Sequence, residues 1–120
     1  LLTPETFSCM HRLESDEIWY FHMGAPVEML LLYPDGSACI RVLGHDLAAG
    51  QRLQVTVPHG TWMGAQLHAP GPYALLSTSM APGYADCEFV PGTFEALLPL
   101  LTAPEQEPVL RRLTGEPRYE

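Results

Sequence analysis

The sequence contains no lysine and no asparagine. Without lysine there is no Schiff-base chemistry, no lysine-held pyridoxal cofactor and no P-loop lysine. Without asparagine there is no Cys-His-Asn triad and no N-glycosylation acceptor. Positive charge is scarce altogether, since six arginines stand against 14 acids for a formal net charge of −8. The only adjacent basic pair is Arg111–Arg112. Nucleic acid and anionic membrane surfaces both require clustered positive charge, so neither is an expected partner. No apolar run approaches the roughly 20 residues of a bilayer span, and no secretory-signal pattern is present. Cys9, Cys39 and Cys87 are odd in number, widely spaced and free of any CxxC. That fits neither a disulfide framework nor a zinc knuckle, and free thiols in a reducing cytoplasm are the expectation.

What is present describes a globular chain. At 120 residues and 47% hydrophobic content it can bury its own core. Over about residues 1–90, short apolar runs alternate with turn signals at intervals near ten residues. The runs are "EIWYFHM", "VEMLLLY", "ACIRVLG", "RLQVTV", "TWMGAQL" and "YALLSTSM". "YPDGSA" has the residue order of a tight turn between two strands. So many short strands with even turns favour an all-β sandwich or closed barrel over βαβ units. Over about 92–113 the spacing becomes helical. "PGTFEALLPLL" places Phe94, Leu97, Leu98 and Leu101 on one face, and "PEQEPVLRRL" starts with acids and ends with arginines, as a helix dipole favours. One domain spanning 1–120 is expected, with strands first and one or two short helices last.

The chemistry concentrates in "HRLESDEIWYFHMG", residues 11 to 24. In extended chain, residues of equal parity share a face. His11, Leu13, Glu17, Trp19 and Phe21 therefore point one way, and Asp16, Ile18, Tyr20 and His22 the other. A glutamate among apolar neighbours is costly unless paired, and desolvation would raise its pKa toward the range useful in acid/base work. His11 and Glu17 are thus the candidate catalytic pair, with Trp19 and Phe21 beside them as pocket lining. Trp62 either lines the pocket or plugs a filled barrel. Ser77 and Ser79 are expected to alternate inward and supply hydroxyls. Plainer roles are available: His11 hydrogen-bonded at a barrel mouth, Glu17 paired with Arg12 or Arg41, Asp16 paired with Arg12 or capping a turn. His45 and Asp46 fall in a glycine-flanked turn and are expected to be solvated.

These stretches carry a family resemblance. "HRLESDEIWYFHMG", "YPDGS", "VLGHDLAAGQRLQVTVPHGTWMGA" and "APGYADCEF" together resemble the DUF985 cupins, also called cupin 5, from about Leu1 to Phe89. The resemblance implies a double-stranded β-helix, the cupin jelly-roll barrel, with an open pocket for an unknown small-molecule ligand. It also implies a homodimer. Family members carry an N-terminal helix and a "PHPEGG"-like segment ahead of this point. The chain has neither, so part of one sheet or of the dimer edge is expected to be missing.

The general cupin metal ligands transfer only in part. His11 falls on the first histidine and Glu17 on the glutamate, but Leu13 occupies the second histidine and Met63 the last. Two donors fall short of a typical catalytic zinc or facial-triad iron site. No metal is therefore favoured. A divalent ion, if bound, would use His11 and Glu17, with His68 (or His59) joining only in a different register, one that turns Trp62, Gly64, Gln66 and His68 inward. Met63 otherwise counts as pocket lining. Three functions compete on this reading: acid/base isomerase or epimerase chemistry on a small polar molecule, a metal-dependent oxygenase or isomerase, and a non-catalytic binding module.

Overall fold

Six of the expected runs become strands, and two further strands complete the architecture. The structure is a computed structural model describing residues 1–68, 71–81 and 90–115. Pro70, the Pro82–Gly83 turn, Cys87 and most of the "APGYADCEF" stretch lie outside the described residues. The strands are β1 (Ser8–Arg12), β2 (Asp16–Gly24), β3 (Val27–Leu32), β4 (Ala38–Leu43), β5 (Gln54–Val57), β6 (Trp62–Leu67), β7 (Ala74–Ala81) and β8 (Val90–Pro91). They form two antiparallel sheets, ordered β4-β3-β6-β1-β8 and β5-β2-β7, the arrangement of a jelly roll.

β3 shows why its run reads as continuously apolar. Val27, Met29 and Leu31 face the space between the sheets, whereas Leu30 and Leu32 face the C-terminal helices. Both faces are covered, so the period-2 signal disappears. Two cores result. One lies inside the barrel around Trp19, Phe21, Met29, Leu31 and Met63. The other lies between the five-stranded sheet and the helices, around Met10, Leu30, Leu97, Leu110 and Leu113.

The turn chemistry follows the sequence closely. Between β3 and β4 the Asp35 carboxylate accepts the Ser37 backbone N–H at 2.9 Å, and Gly36 takes φ +93°. Between β2 and β3 Gly24 takes φ +102°, where a Cβ would run into the Tyr73 carbonyl. The helices depart from expectation in length. Thr93 caps α1 (Phe94–Leu97) through Ala96 N–H. The helix then tightens into a 3₁₀ turn over Leu98–Leu100, because Pro99 has no N–H for the α ladder. α2 (Gln106–Leu113) carries Glu107 in its first turn and Arg111 and Arg112 in its last, as the dipole argument expects. Among the described residues no helix is long and apolar enough to cross a membrane.

Candidate functional site

β1 supplies one wall of the site by breaking its own alternation. Ser8 pairs with Ala65 and His11 with Met63, so three steps on β1 answer two on β6. This β-bulge turns Ser8 and His11 to the same, inner side, although an odd spacing would separate them. The bulge also leaves a carbonyl to accept from a side chain: His11 Nδ1 lies 2.7 Å from Cys9 O. A carbonyl only accepts, so Nδ1 carries the proton and Nε2 is the accepting nitrogen of the neutral ring. The backbone therefore fixes the tautomer.

β2 supplies the second wall, in the parity expected from the sequence. Glu17 and Trp19 are 6% and 7% exposed and face inward opposite Val57 and Val55 of β5. On the other side of β2, Trp19 is opposite Thr78 of β7. The N-terminal segment closes one end, where Leu2 exchanges backbone hydrogen bonds with Ala74 at 2.9 and 2.8 Å. Together these elements enclose an open cavity of about 260 Å³. Its polar wall is Ser8, His11, Glu17 and Thr78; its apolar wall is Trp19, Leu76, Leu1 and Leu2, with Ser77 at the rim. The Trp19 indole Nε1–H is buried and has no hydrogen-bond partner among the described residues.

Several candidates sit elsewhere. β7 runs one residue out of phase with the expected alternation. Ser79 turns outward to the Tyr20 hydroxyl at 3.1 Å, while Ser77 bonds His22 Nε2 at 2.7 Å and still contributes to the cavity lining. Thr78, which the alternation does not single out, is the inward hydroxyl. Met63 is 1% exposed and belongs to the barrel core with Phe21, whose ring meets His45 edge-on at 4.9 Å. Trp62 lies on the outer face of β6, under the Arg12 guanidinium at 4.9 Å. Its face-mates go outward with it. His68 Nδ1 is 3.3 Å from Glu28, and Gln66 bridges Glu28 to Arg112 of α2. His68 is thus not at the cavity, and neither is His59.

His59 has a separate task. Asp16 pairs with it rather than with Arg12: Asp16 Oδ1 accepts the His59 backbone N–H at 2.8 Å and faces its Nδ1 at 3.0 Å. The backbone bond first, and then the ring, hold the Asp16 carboxyl below its ordinary value of 3.8. The brace ties the Pro58–Gly60 turn to the start of β2. A lowered folded-state pKa means the unfolded chain binds more protons. The contribution is therefore complete above the ordinary value and disappears as pH falls through the lowered one. Melting temperatures of wild type and Asp16→Asn, taken from about pH 6 to about pH 2, are expected to differ at the upper end and converge at the lower. A gap that stays constant with pH would contradict the linkage.

The cupin metal set can be tested against these positions. His11 and Glu17 meet at the cavity, but Leu13 and Met63 are buried core residues. Among the described residues no group of three His, Cys, Asp or Glu could hold a metal. Two donors and the hydroxyls among the described lining residues fall short of the three-ligand site that catalytic metals require.

Residues 1–90 match the family described as Cupin superfamily (DUF985). A Shewanella oneidensis protein solved in a structural genomics programme is 35% identical, over 91% of this chain and 67% of its own, with a TM-score of 0.77. A hypothetical protein from Leishmania major is 30% identical, over 96% of this chain and 73% of its own, with a TM-score of 0.82. Bacillus subtilis oxalate decarboxylase is similar in fold alone, at 15% identity over 88% of this chain and 25% of its own, with a TM-score of 0.58. Another structure of that enzyme is described for its Mn(II) centres. Among curated proteins nothing matches.

Proposed function

Because the chain belongs to the DUF985 family of cupins, a superfamily of small-molecule-binding and catalytic domains, we propose that its cavity binds a small hydroxy-carbonyl compound and that His11 and Glu17 transfer a proton on it. The observation that carries this reading is the convergence of a tautomer-fixed histidine and a buried carboxylate on one cavity. At about 260 Å³ the space is just below the range of drug-sized pockets and equals roughly nine waters at about 30 Å³ each. A ligand of that size is a short sugar or comparable metabolite.

The proposed step is an isomerisation or epimerisation. His11 Nε2 takes the proton from the carbon beside the ligand carbonyl, and the C–H electron pair passes to the carbonyl oxygen as an enediolate. Ser8 and Thr78 donate hydrogen bonds where negative charge develops. The Glu17 carboxylate stabilises the imidazolium formed at His11. For isomerisation His11 returns the proton to the former carbonyl carbon, while the hydroxyl proton of the neighbouring carbon passes to the former carbonyl oxygen. For epimerisation water in the open cavity protonates the opposite face of the original carbon and takes up the His11 proton in exchange. Trp19 offers a flat apolar surface for the ligand's C–H face.

Small hydroxy-aldehydes and hydroxy-ketones (glyceraldehyde, dihydroxyacetone, erythrulose) incubated in D₂O provide the test. Wild type is expected to place deuterium on the carbon beside the carbonyl, read by NMR. Glu17→Gln is expected to fold and melt normally while losing at least about 100-fold in rate, the lower range for acid/base residues. Equal rates in the two proteins would end the proposal. Binding by wild type without any deuterium incorporation would leave a non-catalytic binding module.

A further inference from the structure

We infer that Ser77 is a nucleophile with His22 as its general base, which gives the protein a second activity, acyl transfer from small esters to water. The pair stands outside the His11 and Glu17 machinery, and neither activity depends on the other. His22 and Ser77 are both exposed, and Ser77 Oγ lies 2.7 Å from His22 Nε2. A hydroxyl within hydrogen-bond reach of an imidazole is the pairing that activates a serine. Of the exposed serines, Ser37 bonds Asp35 and Ser79 bonds Tyr20; Ser77 alone meets a ring nitrogen. A neutral imidazole is the base suited to taking a hydroxyl proton near neutral pH.

The pair is built by an irregularity in β2. Phe21 is opposite Leu76 and Met23 opposite Leu75, so two steps on β2 answer one on β7 and His22 has no Cα partner. A bulge re-aims the side chain of its extra residue, here diagonally across to Ser77. Tyr20, the residue opposite Ser77, sends its hydroxyl to Ser79 instead. Ser77 also contributes to the cavity lining beside Leu76, which gives a short acyl group a sheltered place next to Oγ. The substrate class is therefore an ester of a short acyl group. The ring holds its proton on Nδ1, and Nε2 accepts the Ser77 O–H. Oγ bonds to the ester carbonyl carbon as its proton passes to Nε2, and the C=O electron pair moves to oxygen. That pair then returns, the C–O bond to the alcohol breaks, and Nε2 gives its proton to the departing oxygen. Water attacks acyl-Ser77 by the same route, releasing the acid and restoring the hydroxyl.

The probe is p-nitrophenyl acetate, because its nitrophenolate is read by absorbance and its acetyl group marks the nucleophile. Wild type is expected to release nitrophenolate and to carry acetyl on Ser77, located by fragment-ion mass spectrometry after an acid quench. His22→Ala keeps the serine, and acetylation at Ser77 is expected to slow by at least about 100-fold, the lower range for a positioned base. His22→Gln retains a polar side chain at that position without a base, and it is expected to slow as far. Both side chains lie at the surface, so the variants are expected to fold, and a thermal melt of each checks that folded proteins are compared. A serine that is merely exposed reacts equally in all three proteins. Equal acetylation of Ser77 in wild type and the variants therefore overturns the inference. So does a wild type that is acetylated elsewhere, or not at all, with Ser77 unmarked.

Discussion

His11→Ala is expected to lower deuterium transfer to the hydroxy-carbonyl ligand by between about 10² and 10⁴-fold, the usual range for a positioned acid/base group. The expectation follows from the β1 bulge. Cys9 O, 2.7 Å from Nδ1, selects one tautomer and one ring orientation before any ligand arrives. Part of the entropic cost of positioning a base is thereby met by the fold, and in the neutral ring the other nitrogen is the accepting one. Alanine removes the base and leaves a space the size of its ring. Millimolar imidazole is expected to restore part of the rate in the variant and to do nothing for wild type. A purely structural histidine behaves differently: its loss lowers the melting temperature, and added imidazole does not restore turnover. Full activity in His11→Ala would remove His11 from the mechanism altogether.

The legibility of this site in the sequence divides along a physical line. Parity along one unbroken strand is reliable, so Glu17, Trp19 and Phe21 were placed on a common inner face from residue spacing alone. Chain that crosses a bulge or restarts after a turn loses its phase. Ser8 is inward because of one extra residue in β1, and nothing in "SCMHR" announces that residue. β7 follows a Pro-Gly-Pro stretch of sequence, and its phase is set by pairing with β2, with a second irregularity between Phe21 and Met23. That pairing brought Thr78 to the cavity beside Ser77 and turned Ser79 outward. Trp62 raises a different difficulty. Both faces of β6 are covered, one by the barrel interior and one by α2 and the arginine side chains, so hydrophobicity alone cannot choose between them. Gly64 marks the outer face in retrospect, since a Cβ there would press on Met10 and Leu113. A glycine inside a strand signals the close approach of another element, here α2.

The fold was more legible than the site for a related reason. A jelly roll is specified by many weak, redundant signals: "YPDGS" for one hairpin, Gly24 for another, a caps-and-dipole pattern for the helices. An error of one residue in any of them leaves the architecture intact. A site is specified by a few side chains, and a one-residue phase error moves a hydroxyl from one side of a sheet to the other. The motif residues Asp16 and His59 illustrate the point, because both stand in the stretches that resemble the family. Their contact braces a turn on the outside of the barrel and does not enter the cavity.

Leu110→Ala is expected to destabilise the fold by about 2–5 kcal/mol, the range for a fully buried leucine, without altering the cavity. Leu110 is 0% exposed and sits in the second core with Met10, Leu30 and Leu32. Its neighbours are held by strands on one side and by α1 on the other, so collapse onto the vacated space is limited and the cost falls in the middle of the range or above it. For a chain of this size each kcal/mol corresponds to roughly 3–6 °C, so the melting temperature is expected to drop by at least about 6 °C. The second core lies on the opposite side of the five-stranded sheet from the His11 and Glu17 cavity. The folded variant should accordingly exchange deuterium into the hydroxy-carbonyl ligand as wild type does. A drop in stability with unchanged ligand response identifies the C-terminal helices as a cover for the outer face of the sheet. A melting temperature within about 2 °C of wild type would mean that α2 is not part of the cooperative core. A lost ligand response in the folded variant would instead connect the helices to the site through β1 and its bulge, which carries Met10 into the second core and His11 into the cavity wall.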